Sequence, residues 1–149
     1  MKWVDMPPVW LAAAIAVVGG LDRLLPFGTF GVLAATGPVL IGAGLILMLL
    51  AVAQMLRQRT TVIPRSQPAR LVTGGVFRLC RNPIYLGDAL VLAGVILWWD
   101  VPLALPVLPL FVLVITRRFI LDEEARLRAG FGAGFEEWAA ETGRWLPKT

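Results

Sequence analysis

Residues 30–56 carry no charged side chain, and no other feature narrows the possible folds of this chain as much. The run is longer than the roughly 20 apolar residues that carry a helix across a bilayer core. It is not isolated. Residues 9–21 form a first apolar run, which continues past Asp22 and Arg23 to Phe27, and residues 84–99 and 101–116 form two more. The chain is 58% apolar and 16% charged, too apolar for a water-soluble domain of 149 residues. Its net charge of +4 comes from arginines that flank the apolar runs, which is membrane anchoring and not a nucleic-acid groove. A lone Cys80 excludes an intrachain disulfide, and the absence of His removes the commonest metal ligand and general base. No metal site and no nucleic-acid partner are expected.

Taken in order, Asp5 is placed to cap a first helix with Pro7 and Pro8 in its opening turn. A secretory signal is the competing reading of that run, but nothing after it resembles a soluble mature domain. Gly37, Gly42 and Gly44 in the second run would let another helix approach closely. Residues 57–81 hold Arg57, Arg59, Arg65, Arg70, Arg78 and Arg81 with no acid among them, and Arg117 and Arg118 follow the fourth run. Both clusters belong on the cytoplasmic side, which gives four spans with both termini inside. Trp98, Trp99 and Asp100 mark the opposite interface, and Pro102, Pro106 and Pro109 predict a kinked or late-starting fourth helix.

The tail from residue 119 is mixed in charge. Phe131, Phe135 and Trp138 fall on one helical face, Gly130 and Gly143 suit helix ends, and Glu124 and Arg128 are spaced for an i,i+4 pair. Glu136, Glu137 and Glu141 read as a solvated face. The expected fold is therefore all-α: one integral membrane domain over residues 1–149, with about four transmembrane helices and a C-terminal cytoplasmic amphipathic helix. That helix lies on the membrane or on the bundle.

The stretch LVTGGVFRLCRNPIYLGD, residues 71–88, feeds a polar loop into the third run. Asn82 and Pro83 read as a helix start, since Asn is a favoured N-cap and Pro at the first position forgoes a donor that has no partner there. The amides of Ile84 and Tyr85 are then free to attract an anion, helped by Arg78 and Arg81. Gly87 removes a side chain where something comes close. Asp88 is an ionisable residue one turn inside an apolar helix, and so a functional candidate or a polar group still at the interface. Cys80 reads as structural.

RNPIYLGD followed by DEEARLRAGFGAGFEEWAAETGRWLP resembles the isoprenylcysteine carboxyl methyltransferase and phospholipid methyltransferase superfamily of membrane enzymes. The matching positions are Arg81, Pro83, Tyr85 and Gly87, then Glu123 and Glu124, Phe131 and Gly132, and Arg144, Trp145 and Pro147. Thr73, Gly74, Phe77 and Arg78 resemble the approach to the first motif. Asn82 stands where the family has His, so any role that needs an imidazole is excluded.

The resemblance covers residues 70–147 and implies S-adenosyl-L-methionine as methyl donor, held at the cytoplasmic end of the last helical hairpin. It makes Arg81, Asn82, Glu123 and Glu124 the catalytic candidates. The cofactor set adds Gly74, Arg78, Pro83, Tyr85, Leu86, Gly87, Trp145 and Leu146 to those four. A carboxylate of the donor suits the helix start beside Arg78 or Arg81, its ribose and amino group suit Glu123 or Glu124, and Tyr85, Phe131, Trp145 and Leu146 suit adenine.

The acceptor is expected to be lipophilic and to enter from the bilayer. An isoprenylcysteine-type carboxylate is preferred because, being ionised, it needs no base. A phospholipid amine is the alternative, with Glu123 or Glu124 as base. Residues 80–88 also resemble the motif of NADPH-dependent sterol reductases, but the chain is short for a second cofactor lobe. A non-catalytic membrane scaffold is the remaining reading.

Overall fold

A computed structural model describes residues 5–63, 66 and 68–148 of the chain, and the described residues form helices and loops with no strand. Helix α1 spans Pro7–Leu24, and a 3-10 turn at Gly31–Thr36 leads into α2, Gly37–Arg57. Helix α3 spans Pro83–Trp98. A 3-10 turn at Pro102–Ala104 precedes α4, Val107–Ile115, so the prolines do delay the fourth helix. A π-turn at Thr116–Ile120 joins α4 to α5, Leu121–Phe131, without a break in direction, and α6 follows at Ala133–Glu141.

Three segments are long and apolar enough to cross a membrane: Pro7–Leu24, Gly31–Arg57 and Pro102–Phe131. Helix α3 is apolar apart from Tyr85 and Asp88, both buried, and is only 16 residues long. A helix with no polar face belongs in a core, and α3 packs against α1, α2 and α4. Leu92 and Ile96 of α3, Val18 of α1, and Phe111 and Ile115 of α4 build that core.

The α2–α3 contact is built on glycine. A β-carbon on Gly44 would lie 2.6 Å from the Gly87 carbonyl oxygen, and one on Gly87 would lie 2.7 Å from that of Gly44. Two turns away, a β-carbon on Gly37 would meet the Gly94 carbonyl oxygen at 2.5 Å, and one on Gly94 would meet that of Gly37 at 2.6 Å. Two matched pairs therefore let the backbones touch, as small residues do between membrane helices. Gly42 takes no part, since nothing lies within 4 Å of its β-position.

One end of the bundle is closed by Asp100, whose carboxylate accepts from the amides of Thr29 and Phe30 at 3.0 and 2.7 Å. Asp100 adopts φ 58°, a left-handed conformation in which Asp is more frequent than most residues. The other end gathers the start of α1, the described residues of the 58–82 loop, α5, α6 and the tail. Asp5 does not cap α1. Its carboxylate accepts instead from the Trp10 indole at 3.1 Å and pairs with Arg118 at 2.9 Å, while Met6 occupies the cap position without a side-chain bond. The observed residues near both termini thus lie at this same end. Helix α6 rests on it through Phe135 and Trp138, which pack with Ala51, Val72 and Phe77. The break between α5 and α6 falls at Gly132, φ 50°, and not at Gly130, because only Gly132 takes a backbone conformation that disfavours a side chain.

Candidate active site

The two motifs of the sequence meet at this end. Arg81 ends the loop, and its backbone N–H donates to the Gly143 carbonyl at 2.8 Å. Its guanidinium donates from Nη1 to the carbonyls of Ala139 and Thr142 at 3.0 and 2.7 Å, and from Nη2 to Glu124 Oε1 at 2.9 Å. Arg144 reaches the same carboxylate from the tail, Nε to Oε1 at 2.8 Å and Nη2 to Oε2 at 2.7 Å. Glu124 is buried and accepts from both guanidiniums, and its hydrogen bonds push the Arg144 guanidinium above its ordinary value. Such charge-assisted bonds fix orientation as well as contributing energy. The result is a clasp that ties α3, α5 and the tail together.

The expected Glu124–Arg128 pair does not form, because the carboxylate points inward to this clasp. Arg128 instead pairs with Glu136 on the exposed face. Asn82 does precede the first residue of α3, but its side chain does not cap it. The amide donates from Nδ2 to the Arg144 carbonyl at 3.0 Å, so the helix start has no side-chain cap from Asn82.

Beside the clasp lies a cavity of about 490 Å³, within the range usual for small-molecule sites. Arg81, Asn82, Pro83, Tyr85 and Glu123 line it, and the Tyr85 hydroxyl donates to Glu123 Oε1 at 2.7 Å. Glu123 and Glu124 thus divide the work: the first faces the cavity and the second holds the clasp. The Nε of Arg81 is buried with no hydrogen-bond partner among the described residues. On the other side the cavity is framed by Met6, Pro7 and Pro8 at the start of α1, and by Met48, Val52 and Met55 of α2. These two helices both pack on α3 and scarcely touch one another.

The remaining expected site residues sit elsewhere. Gly74 is bound to α2, its carbonyl accepting from the Gln54 side-chain amide. Arg78 lines a separate polar groove with Glu137 and Glu141 of α6. Gly87 is filled by the α2 contact, so the room it leaves serves packing and not a ligand. Leu86 donates its amide to the Asn82 carbonyl as the first helical bond of α3. Trp145 packs on the main core and donates to Thr116 Oγ1 at 3.0 Å, and Leu146 is exposed. None of these six lines the cavity. Cys80 is buried, which pushes its thiol up and away from the reactive thiolate. No group of three or more potential metal ligands occurs among the described residues.

Several lining residues were not among the expected cofactor or catalytic residues. Phe77 and Trp138 form part of one wall, with the Trp138 indole donating to the Phe77 carbonyl at 3.2 Å. Arg70 and Arg126 also line the cavity, and Arg126 Nη1 is buried without a partner among the described residues. Arg126 could be placed only by its helical offset of three from Glu123, which puts the two side chains on one face of α5.

The fold and this site define an all-helical, highly apolar bundle with a ligand-sized cavity at its arginine-rich end. Residues 32–134 match the model of the phospholipid methyltransferase family, and the chain belongs to that family of methyltransferases. Neither a curated protein nor a solved structure matches it.

Proposed function

We propose that this protein is an integral membrane enzyme that transfers a methyl group from S-adenosylmethionine to a lipophilic acceptor in the cavity beside Arg81. The observation that carries this reading is the convergence of Arg81, Tyr85 and Glu123 with the open start of α3 on one ligand-sized space. The donor set suits the cofactor. The Arg81 Nε, without a partner among the described residues, and the positive end of α3 fit a carboxylate, Glu123 fits an amino or hydroxyl group, and Phe77 and Trp138 offer an aromatic wall.

When bound, S-adenosylmethionine supplies a methyl carbon already activated by its sulfonium. What is left to the protein is alignment and exclusion of water. Arg81 is held by Glu124 and three carbonyls, so its position is fixed before any ligand arrives. Tyr85 and Glu123 brace one another across the cavity wall. Met48, Val52, Ile84 and Leu127 keep the acceptor side apolar. The gap between α1 and α2 lets an acceptor enter sideways from the bilayer, and the arginines of the 57–81 loop support a cytoplasmic position for this end.

Arg70, Arg81 and Arg126 favour an isoprenylcysteine-type carboxylate as acceptor. Asp88 and Glu123 in the same cavity favour a phospholipid amine, as does the family to which the chain belongs. Calorimetric titration of the detergent-solubilised protein with S-adenosylhomocysteine and with NADPH tests the cofactor. Saturable binding of the first and none of the second is expected; the reverse would make the protein a nicotinamide enzyme and end the methyltransferase reading.

A further inference from the structure

We propose that Asp88 is the group that holds a cationic acceptor in the cavity and takes its proton, so that the site selects amines over carboxylates. This rests on the methyltransferase reading and deepens it. Asp88 and Glu124 are the two buried carboxylates among the described residues, at 5% and 6% exposure. Glu124 is paired with two arginines. The Asp88 side chain has no hydrogen bond or ion pair among the described residues, and it lines the cavity. A largely buried carboxylate without a partner from the protein is costly, by more than a neutral polar group. The cost is removed when a cation occupies the cavity.

Position assigns that cation to the acceptor. Ile84, Tyr85 and Asp88 lie on one face of the first two turns of α3. At 1.5 Å of rise per residue, Asp88 sits about 7 Å farther into the bundle than Pro83. The donor carboxylate belongs at the Arg81 end, where the Arg81 Nε is buried without a partner among the described residues. Asp88 therefore stands on the membrane side of the reacting centre, next to the apolar Met48 and Val52, where a lipid-borne headgroup arrives. An ammonium there passes one proton to the Asp88 carboxylate. The freed nitrogen lone pair forms the new N–C bond as the S–C bond breaks, and that bond's electron pair stays on sulfur as a thioether. The nitrogen product and a protonated Asp88 result, with nothing oxidised or reduced. A carboxylate acceptor would instead meet a like charge at short range.

The full chain in phosphatidylcholine nanodiscs tests this with three probes. Dodecyltrimethylammonium, which cannot give up a proton, should bind the wild type saturably and the Asp88→Asn variant at least about tenfold more weakly, as for loss of a buried charge partner. S-adenosylhomocysteine should bind both equally. Methylation of phosphatidylethanolamine should fall at least about 100-fold in Asp88→Asn, the lower range for a lost general base, and recover in part in Asp88→Glu. Equal binding of the ammonium probe by both forms would overturn the proposal, as would a wild-type preference for dodecanoate over the ammonium. A parallel loss of S-adenosylhomocysteine affinity in Asp88→Asn would move the residue to the donor and overturn it as well. Failure of the wild type to bind S-adenosylhomocysteine is a separate result that strikes the cofactor reading, since the ammonium probe reads Asp88 without it.

Discussion

The glycine seam between α2 and α3 and the clasp around Glu124 both join parts of the chain distant in sequence, by opposite means. The seam has no polar side chain at its contacts and works because two backbones touch at Gly44–Gly87 and Gly37–Gly94. The clasp is entirely charged or hydrogen-bonded, with Arg81 and Arg144 on one carboxylate. In lipid, apolar side chains gain nothing by leaving one another's company, so close packing must hold the spans together. At the bundle end, where water reaches, a hydrogen-bonded charge network can set the position of the tail alongside the packing of Trp145 on the core. The seam should therefore tolerate no added volume, and the clasp no loss of charge.

The largest effect is expected at the seam. Gly87→Leu pushes a side chain into the Gly44 carbonyl, an obstacle that cannot rotate away. The loss should exceed the roughly 1–3 kcal/mol typical of overpacking, because backbone and not side chain must yield. Thermal unfolding in detergent should show a collapsed midpoint or no folded protein at all. A variant that folds and binds S-adenosylhomocysteine as well as the wild type would show that the helices do not meet there.

A smaller effect is expected from Glu124→Gln. Removing one member of a buried charge network costs roughly 3–5 kcal/mol, but Arg144 is 38% exposed and partly screened, so about 2–3 kcal/mol is expected. The change also frees the Arg81 guanidinium, so S-adenosylhomocysteine affinity should fall although Glu124 does not line the cavity. Proteolysis of the tail should accelerate in the same variant. Unchanged affinity together with unchanged tail protection would mean that the clasp positions nothing.

The seam could be half-read from the sequence and the clasp could not. Glycines at 37 and 44, and at 87 and 94, repeat at seven residues, which marks one stripe on each helix. Nothing in the chain says that the two stripes face each other, or that Gly42 lies off the stripe. The all-helical class and the apolar runs were legible because a run such as residues 30–56 has few alternatives. The start of α3 at Asn82–Pro83 was legible in position but not in bonding, since the tail carbonyl that takes the Asn82 side chain lies 62 residues away. Likewise Glu123 and Glu124 are adjacent in sequence, and only the turn of α5 decides that one faces the cavity and the other the clasp. Arg144 was legible as a motif position and Trp138 as part of an aromatic face, but nothing local named Glu124 or the Phe77 carbonyl as their partners.

The finest test of the seam uses one helix and one kind of change at two positions. Gly44→Ala puts a methyl 2.6 Å from the Gly87 carbonyl oxygen and about as close to Val91 and Leu90 as packed atoms come, at 3.0 and 3.1 Å. It should destabilise by about 1–2 kcal/mol, within the overpacking range. Gly42→Ala puts the same methyl where nothing lies within 4 Å. There only the backbone gain remains, and Ala in a helix interior is favoured over Gly by roughly 0.5–1 kcal/mol. The two substitutions lie two residues apart in α2 and should shift the unfolding midpoint in opposite directions. If both lower it, something not visible in the isolated chain also packs on the Gly42 face. If both raise it, α2 and α3 are farther apart than the glycine contacts require, and the seam fails as the account of how this bundle is held together.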